Sequence, residues 1–358
     1  MAHLKICMAF IVAGLCLSGT AAAASPAGER HLIATEDTAR VRDAQHRDQL
    51  RITIWYPAAA NAQEQSLAIG PPGHPLFEPG SAAPDAAFSD EKRHPVILLS
   101  HGFGGSARIM AWFGTALARA GYIVIAPDHP GNNARDPMTM PGSTFFWERP
   151  GDLAIALAAV KADPAIGPHL DISRLGVAGF SAGGFTSLAA AGGRVDLAKF
   201  IAFCETHPAD GVCAPQKEFP FDFSSAIAFW NQPKMAHDIA KSRGDLSIKG
   251  VRAAFVMAPA LVQSFDPASL KHVGIPVSII LGDADAIATP DVNGEVAAKL
   301  IPGAQLYVLH EVGHYDFIAT CGPDGVAHLP VCRSHVSRQQ THQTAVDRAL
   351  ALFRGALG

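Results

Sequence analysis

The chain reads as an α/β protein with a mostly parallel central sheet and helices on both faces. Runs such as 96–99 and 175–178, and 277–281 but for Ser278, are apolar instead of alternating, the pattern of strands buried on both sides. Helical stretches separate them, as crossovers between parallel strands require. The 358 residues, 49% hydrophobic and 17% charged, are enough for one large core and do not require several domains.

In chain order, residues 1–24 carry Lys5, an apolar run from Ile6 to about Leu17, and small residues ending in Ala22, Ala23 and Ala24. That is the layout of a cleavable signal peptide, so export to the periplasm or beyond is expected. The apolar run is shorter than the ~20 residues that cross a bilayer, so no stable membrane span is expected. The remaining residues, 25–358, are expected to form a single domain. Residues 50–56 alternate apolar and polar side chains, predicting a strand half exposed at a sheet edge. Residues 57–94, rich in Pro, Gly, Ala and Ser without periodicity, predict a surface loop. Then come strand 96–99, helix 110–120, strand 122–126, helix 152–161, strand 175–178 and a small-residue helix to about Ala191. After an insertion, strands at 253–257, 277–281 and 305–309 and a closing helix at 343–353 complete the series.

The insertion, 203–250, contains Phe219, Phe221, Phe223, Phe229 and Trp230. Two readings stay open: a cap over a substrate pocket, or a surface subdomain whose aromatic residues form their own core. Beyond the leader the cysteines are Cys204, Cys213, Cys321 and Cys332, in two pairs close in sequence. Two local disulfides fit an oxidising compartment, although three connectivities are formally open. No pair has the Cys-x-x-Cys spacing of a zinc site, so no metal is expected. The net charge of -4 and the scattered basic residues argue against a nucleic-acid partner.

Gly179-Phe180-Ser181-Ala182-Gly183 lies between a predicted strand and a predicted helix, the context of a nucleophile elbow. A serine hydroxyl needs a base to take its proton and a third group to hold that base. His314, behind Gly313 and just after the last predicted strand, is the candidate base. The acid should fall between the two in sequence, after a strand. Asp283 and Asp285 both follow strand 277–281; the Gly282-x-x-Asp285 spacing favours Asp285 as the acid and leaves Asp283 to orient the loop. Ser100-His101-Gly102-Phe103-Gly104-Gly105 follows strand 96–99, where an oxyanion loop belongs, so the backbone amides of Phe103 and Ala182 are the candidate oxyanion donors. Gly102-x-Gly104 lacks the rest of any phosphate-loop motif, and no cofactor is expected. His129, in Asp128-His129-Pro130-Gly131, reads better as a structural residue of a turn than as a pocket residue.

On SHGFGG at Ser100, APDHPG at Ala126, GFSAGG at Gly179, LGDAD at Leu281 and GHYDF at Gly313, the chain resembles the dienelactone hydrolase-like branch of the α/β-hydrolases, especially exported bacterial members related to platelet-activating-factor acetylhydrolase. The resemblance runs from about Ile52 to the C-terminus. It implies the α/β-hydrolase fold, with a mixed sheet of about eight strands, and a cofactor-free hydrolase. Dienelactone hydrolases proper use a cysteine where this chain has Ser181, which shifts the expectation to ordinary carboxylic esters, small or lipid. A peptidase, amidase or acyltransferase using the same residues is the alternative, and a non-catalytic binding module a more distant one. The sequence does not address oligomeric state.

Overall fold

The computed structural model describes residues 25–358; the expected leader at 1–24 lies outside them. The strands in chain order are β1 (Ala27–Thr35), β2 (Gln49–Pro57), β3 (Gln65–Ser66), β4 (Phe77–Glu78), β5 (Ser81–Pro84), β6 (His94–Ser100), β7 (Ile123–Asp128), β8 (Leu170–Phe180), β9 (Val251–Met257), β10 (Val277–Gly282), β11 (Gln305–Leu309) and β12 (Thr320–Cys321). Among the described residues, ten of them form one sheet in the order β11-β10-β9-β8-β6-β7-β2-β1-β5-β3, while β12 pairs with β4 apart from it. From β11 to β7 every pairing is parallel; β2 then joins β7 antiparallel, and β1 joins β2 the same way.

Strand β6 shows why its sequence does not alternate. Val96 and Leu98 enter the core on one face, Ile97 and Leu99 the core on the other, and all four are fully buried. Each such side chain contributes about 1.5–3 kcal/mol of burial. Helices Arg149–Ala162 and Ala182–Ala190 cover the first face through Leu153, Val160, Phe185 and Leu188. Helices Ala111–Arg119 and Arg338–Leu357 cover the second through Phe113, Leu117, Ala345 and Phe353.

Three expectations need correction. Residues 50–56 do not lie at an edge: β2 sits between β7 and β1, and its polar positions are internally paired, Arg51 with Asp136 and Thr53 with His31. The strand beyond it, β1, was not predicted, because its outer half exposes an apolar residue, Ile33 (64%), and so breaks the alternation. Residues 57–94 are not simply a loop: β5 pairs parallel with β1 and β3 pairs with β5, raising the sheet to ten strands from the expected eight. Strands of two and four residues are too short to carry a period. No helix among the described residues is long and apolar enough to cross a membrane.

Candidate active site

Strand β8 runs straight into helix Ala182–Ala190, and the single residue between them turns the chain. That residue, Ser181, has φ 57° and ψ -119°, a conformation that costs on the order of 1–3 kcal/mol and persists only where its surroundings impose it. Here the Ser181 amide donates to the Met257 carbonyl at 2.9 Å, and the Ser181 carbonyl accepts from Gly184 at 2.8 Å and Ala260 at 3.1 Å. Two glycines make the turn possible. A Cβ at Gly179 would lie 2.0 Å from the Gly183 carbonyl oxygen, and one at Gly183 would lie 1.9 Å from the Ser100 carbonyl oxygen.

His314 begins a short 3-10 turn, His314–Phe317, beyond β11. Its Nε2 lies 2.8 Å from Ser181 Oγ and its Nδ1 2.7 Å from Asp285 Oδ2. Asp285 Oδ1 accepts the amides of Ile287 and Ala288, each at 2.8 Å, which fixes the carboxylate in its loop. With the carboxylate accepting, Nδ1 carries the proton and Nε2 faces the serine hydroxyl as an acceptor. Asp283 is directed elsewhere: it accepts the Glu311 amide at 2.7 Å and pairs with His310 at 2.9 Å, bracing the two loops against each other. Asp316, which the sequence did not single out, accepts the Gly313 amide at 2.8 Å and lies 3.5 Å from Arg338 of the terminal helix, holding the turn that carries His314.

The loop after β6 is anchored from below. Gly104, at φ 59°, donates its amide to Asn132 Oδ1 at 2.9 Å. Arg149 donates to the His101 carbonyl, to Ser100 Oγ at 3.3 Å, to Asn132 Oδ1 at 3.3 Å and to Thr186 Oγ1 at 3.1 Å. Burial pushes this guanidinium down to about 9 despite the attraction of Asp152. Nothing in the sequence marked Arg149, which the predicted helix at 152–161 leaves out and which begins the observed helix. The candidate oxyanion residues Phe103 and Ala182 both line the same cavity as Ser181. As the first residue of its helix, Ala182 has an amide with no helical acceptor.

His129 lies behind the loop, not in the cavity. Its Nε2 is 2.9 Å from Ser100 Oγ, and its Nδ1 is 2.7 Å from Asp152 Oδ2. Arg42 donates twice to the same Asp152, at 2.9 and 2.7 Å. Burial, with the cation of Arg149 beside it, pushes His129 down to about 3. Burial alone would raise the Asp152 carboxyl; the Arg42 guanidinium overrides it and holds the group well below the usual carboxylate range.

A mainly apolar cavity lies above Ser181 and opens to solvent. The insertion supplies one wall through Val212, Phe221, Phe223 and Trp230, the last two from helix Phe223–Trp230, and Phe200 of helix Leu197–Thr206 adjoins them. The cysteines lie at bonding distance as Cys204–Cys213 and Cys321–Cys332, closing loops of sequence separation 9 and 11. The first of these bridges pins the wall, since Cys213 also faces the cavity. Among the described residues, no three His, Cys, Asp or Glu side chains converge as a metal site would.

A mostly parallel sheet that presents a serine on a strained strand-to-helix turn, with a histidine carried back over it from beyond the last parallel strand, is the α/β-hydrolase architecture. The profile of the alpha/beta hydrolase family matches residues 96–329, and the chain belongs to that family. Among solved structures, the fold is similar to that of a ferulic acid esterase from Streptomyces cinnamoneus, with 18% identity over 95% of this chain and 92% of the other and a TM-score of 0.60. No protein of curated function matches the sequence significantly.

Proposed function

We propose that this protein is an exported serine hydrolase of carboxylic esters, with Ser181 as nucleophile, His314 as base and Asp285 as the acid that orients it. One observation carries the reading: the hydrogen-bonded chain from Ser181 Oγ through His314 to Asp285 ends at an apolar cavity beside Phe103 and Ala182. The similarity in fold to an esterase supports it, and two short-range cysteine bridges are compatible with export. The dienelactone hydrolase-like motifs, with serine in place of cysteine, support a reading within the branch related to platelet-activating-factor acetylhydrolase, and the cavity-lining residues of the insertion support its reading as a cap.

In this mechanism Ser181 Oγ bonds to the ester carbonyl carbon as its proton passes to His314 Nε2. Asp285 stabilises the resulting imidazolium, and the Phe103 and Ala182 amides donate to the negative oxygen, a contribution of about 2.7–4 kcal/mol per donor. The carbon–oxygen bond to the alcohol breaks as His314 returns the proton to it. Water, deprotonated by His314, then attacks the acyl-enzyme and frees Ser181. The test is a p-nitrophenyl ester series from acetate to palmitate with wild type and Ser181→Ala. A chain-length optimum that disappears in the variant is expected; equal rates in both proteins would overturn the assignment.

A further inference from the structure

The apolar wall of the cavity above Ser181 is built mainly of rings. Six aromatic side chains line it, Phe103, Phe146, Phe200, Phe221, Phe223 and Trp230, against three branched aliphatic ones, Val212, Leu261 and Ile287. Four of the rings lock one another edge to face. Phe146 meets Phe200 at 5.7 Å and 82°, Phe200 meets Phe223 at 5.5 Å and 88°, and Phe223 meets Trp230 at 5.9 Å and 84°. They come from three elements, the 3-10 turn Phe146–Glu148 and the helices Leu197–Thr206 and Phe223–Trp230, so the array is not a product of one helix's spacing. The Cys204–Cys213 bridge ties the second of these elements to the cavity wall. Phe103, Phe221 and Phe223 are only partly buried, which leaves ring surface free for contact.

We propose that this cavity takes esters carrying a planar aromatic ring, in the acyl or the alcohol half, and selects them over esters with a saturated ring of the same outline. The proposal rests on the esterase reading above. An aromatic ring has a negative face and a positive edge, so it is attracted to neighbouring rings beyond the area it buries. A saturated ring buries its area but has no such faces to match. Rings already locked by one another hold their edges and faces in place, so a substrate ring extends the array without first having to order it.

The experiment compares two pairs of esters by the acid they release, each kcat/KM normalised to the ester's alkaline hydrolysis rate. One pair is methyl 3-phenylpropanoate and methyl 3-cyclohexylpropanoate; the other is 2-phenylethyl acetate and 2-cyclohexylethyl acetate. Wild type is expected to favour the aromatic member of at least one pair by about fivefold, and which pair shows it tells whether the ring belongs to the acyl or the alcohol half. The ratio should move towards one in Phe223→Leu and in Phe221→Leu, and reach it in the double variant, while the cyclohexyl ester keeps its rate. Ratios at or below one in both pairs overturn the inference without recourse to any variant, as does a preference that the double variant retains. So does a wild type that cleaves p-nitrophenyl acetate but neither phenyl ester. If wild type cleaves none of the four esters nor any in the acetate-to-palmitate series, the esterase reading itself fails and this inference falls with it.

Discussion

The chain contains two serine–histidine–aspartate arrays of nearly the same geometry. In one, Ser181, His314 and Asp285 are linked at 2.8 and 2.7 Å; in the other, Ser100, His129 and Asp152 are linked at 2.9 and 2.7 Å. Hydrogen-bond distances do not tell them apart. Access does: Ser181 borders the cavity, whereas Ser100 and His129 are wholly buried and do not. Backbone does also, because Ser181 is lifted off the sheet at φ 57° while Ser100 ends β6. Electrostatics completes the contrast. A proton taken up by His129 would sit between Arg149 and an aspartate already doubly bonded to Arg42, so that array is locked neutral at the imidazole. Asp285 is held by two neutral amides and, among the described residues, has no Lys or Arg bonded to it, which on the proposed reading leaves it to stabilise an imidazolium. On the proposed reading, geometry makes a triad possible, and an open face and a carboxylate without a competing cation make it usable. The buried copy is instead a bracket under the loop from Ser100 to Gly105, through Ser100 Oγ and Arg149.

The largest expected effect is on turnover. Ser181→Ala or His314→Ala should lower kcat on a p-nitrophenyl ester on the order of 10⁴- to 10⁶-fold, with unfolding midpoints little changed. Asp285→Asn should cost on the order of 10⁴-fold, since an amide favours the wrong imidazole tautomer. If Asp283→Asn matched that loss, the assignment of the acid would fall. Asp152→Asn should reverse the pattern. It leaves the buried Arg42 without its carboxylate and should cost about 3–5 kcal/mol in urea unfolding, with a far smaller loss of turnover per folded molecule than Asp285→Asn. Ser100→Ala, which leaves one hydrogen bond of His129 and one of Arg149 unmade, should cost about 1–3 kcal/mol of stability and still turn over; inactivity in a folded Ser100→Ala would break the distinction between the arrays.

The smallest effect per step is a pH dependence of stability. Burial lowers His129 to about 3 and His342 to about 4, and it lowers His101 well below the ordinary imidazole value. The unfolded chain takes up protons at these residues near pH 6.5, whereas the folded chain does not, so acid favours unfolding. Stability should be complete above about pH 6.5 and fall as pH drops towards 3–4, by up to ~1.4 kcal/mol per pH unit for each histidine. Urea midpoints measured from pH 7.5 to 4.5 read this directly. Replacing His129 with Gln should flatten the slope by about one proton.

What the sequence determined by itself was whatever short-range physics controls. Apolar runs marked the strands of the parallel sheet because burial on both faces leaves few polar positions, Ser278 being one, and β6, β8 and β10 lie where those runs lie. The turn at Ser181 was legible because only glycine fits at 179 and 183, a steric demand met within five residues. The tertiary structure decided what depends on strand order. Position 51 became internal only because β1 was added outside β2. The sequence singled out His314 among 16 histidines, but its contact with Ser181 is made across a separation of 133, and Arg42 reached Asp152 across a separation of 110 with no sequence signal. The cavity wall likewise depends on an insertion whose aromatic spacing is as compatible with a private core as with a lid. Local sterics and burial are written within a few neighbouring residues, whereas pairings across the sheet exist only after the strands have taken their places.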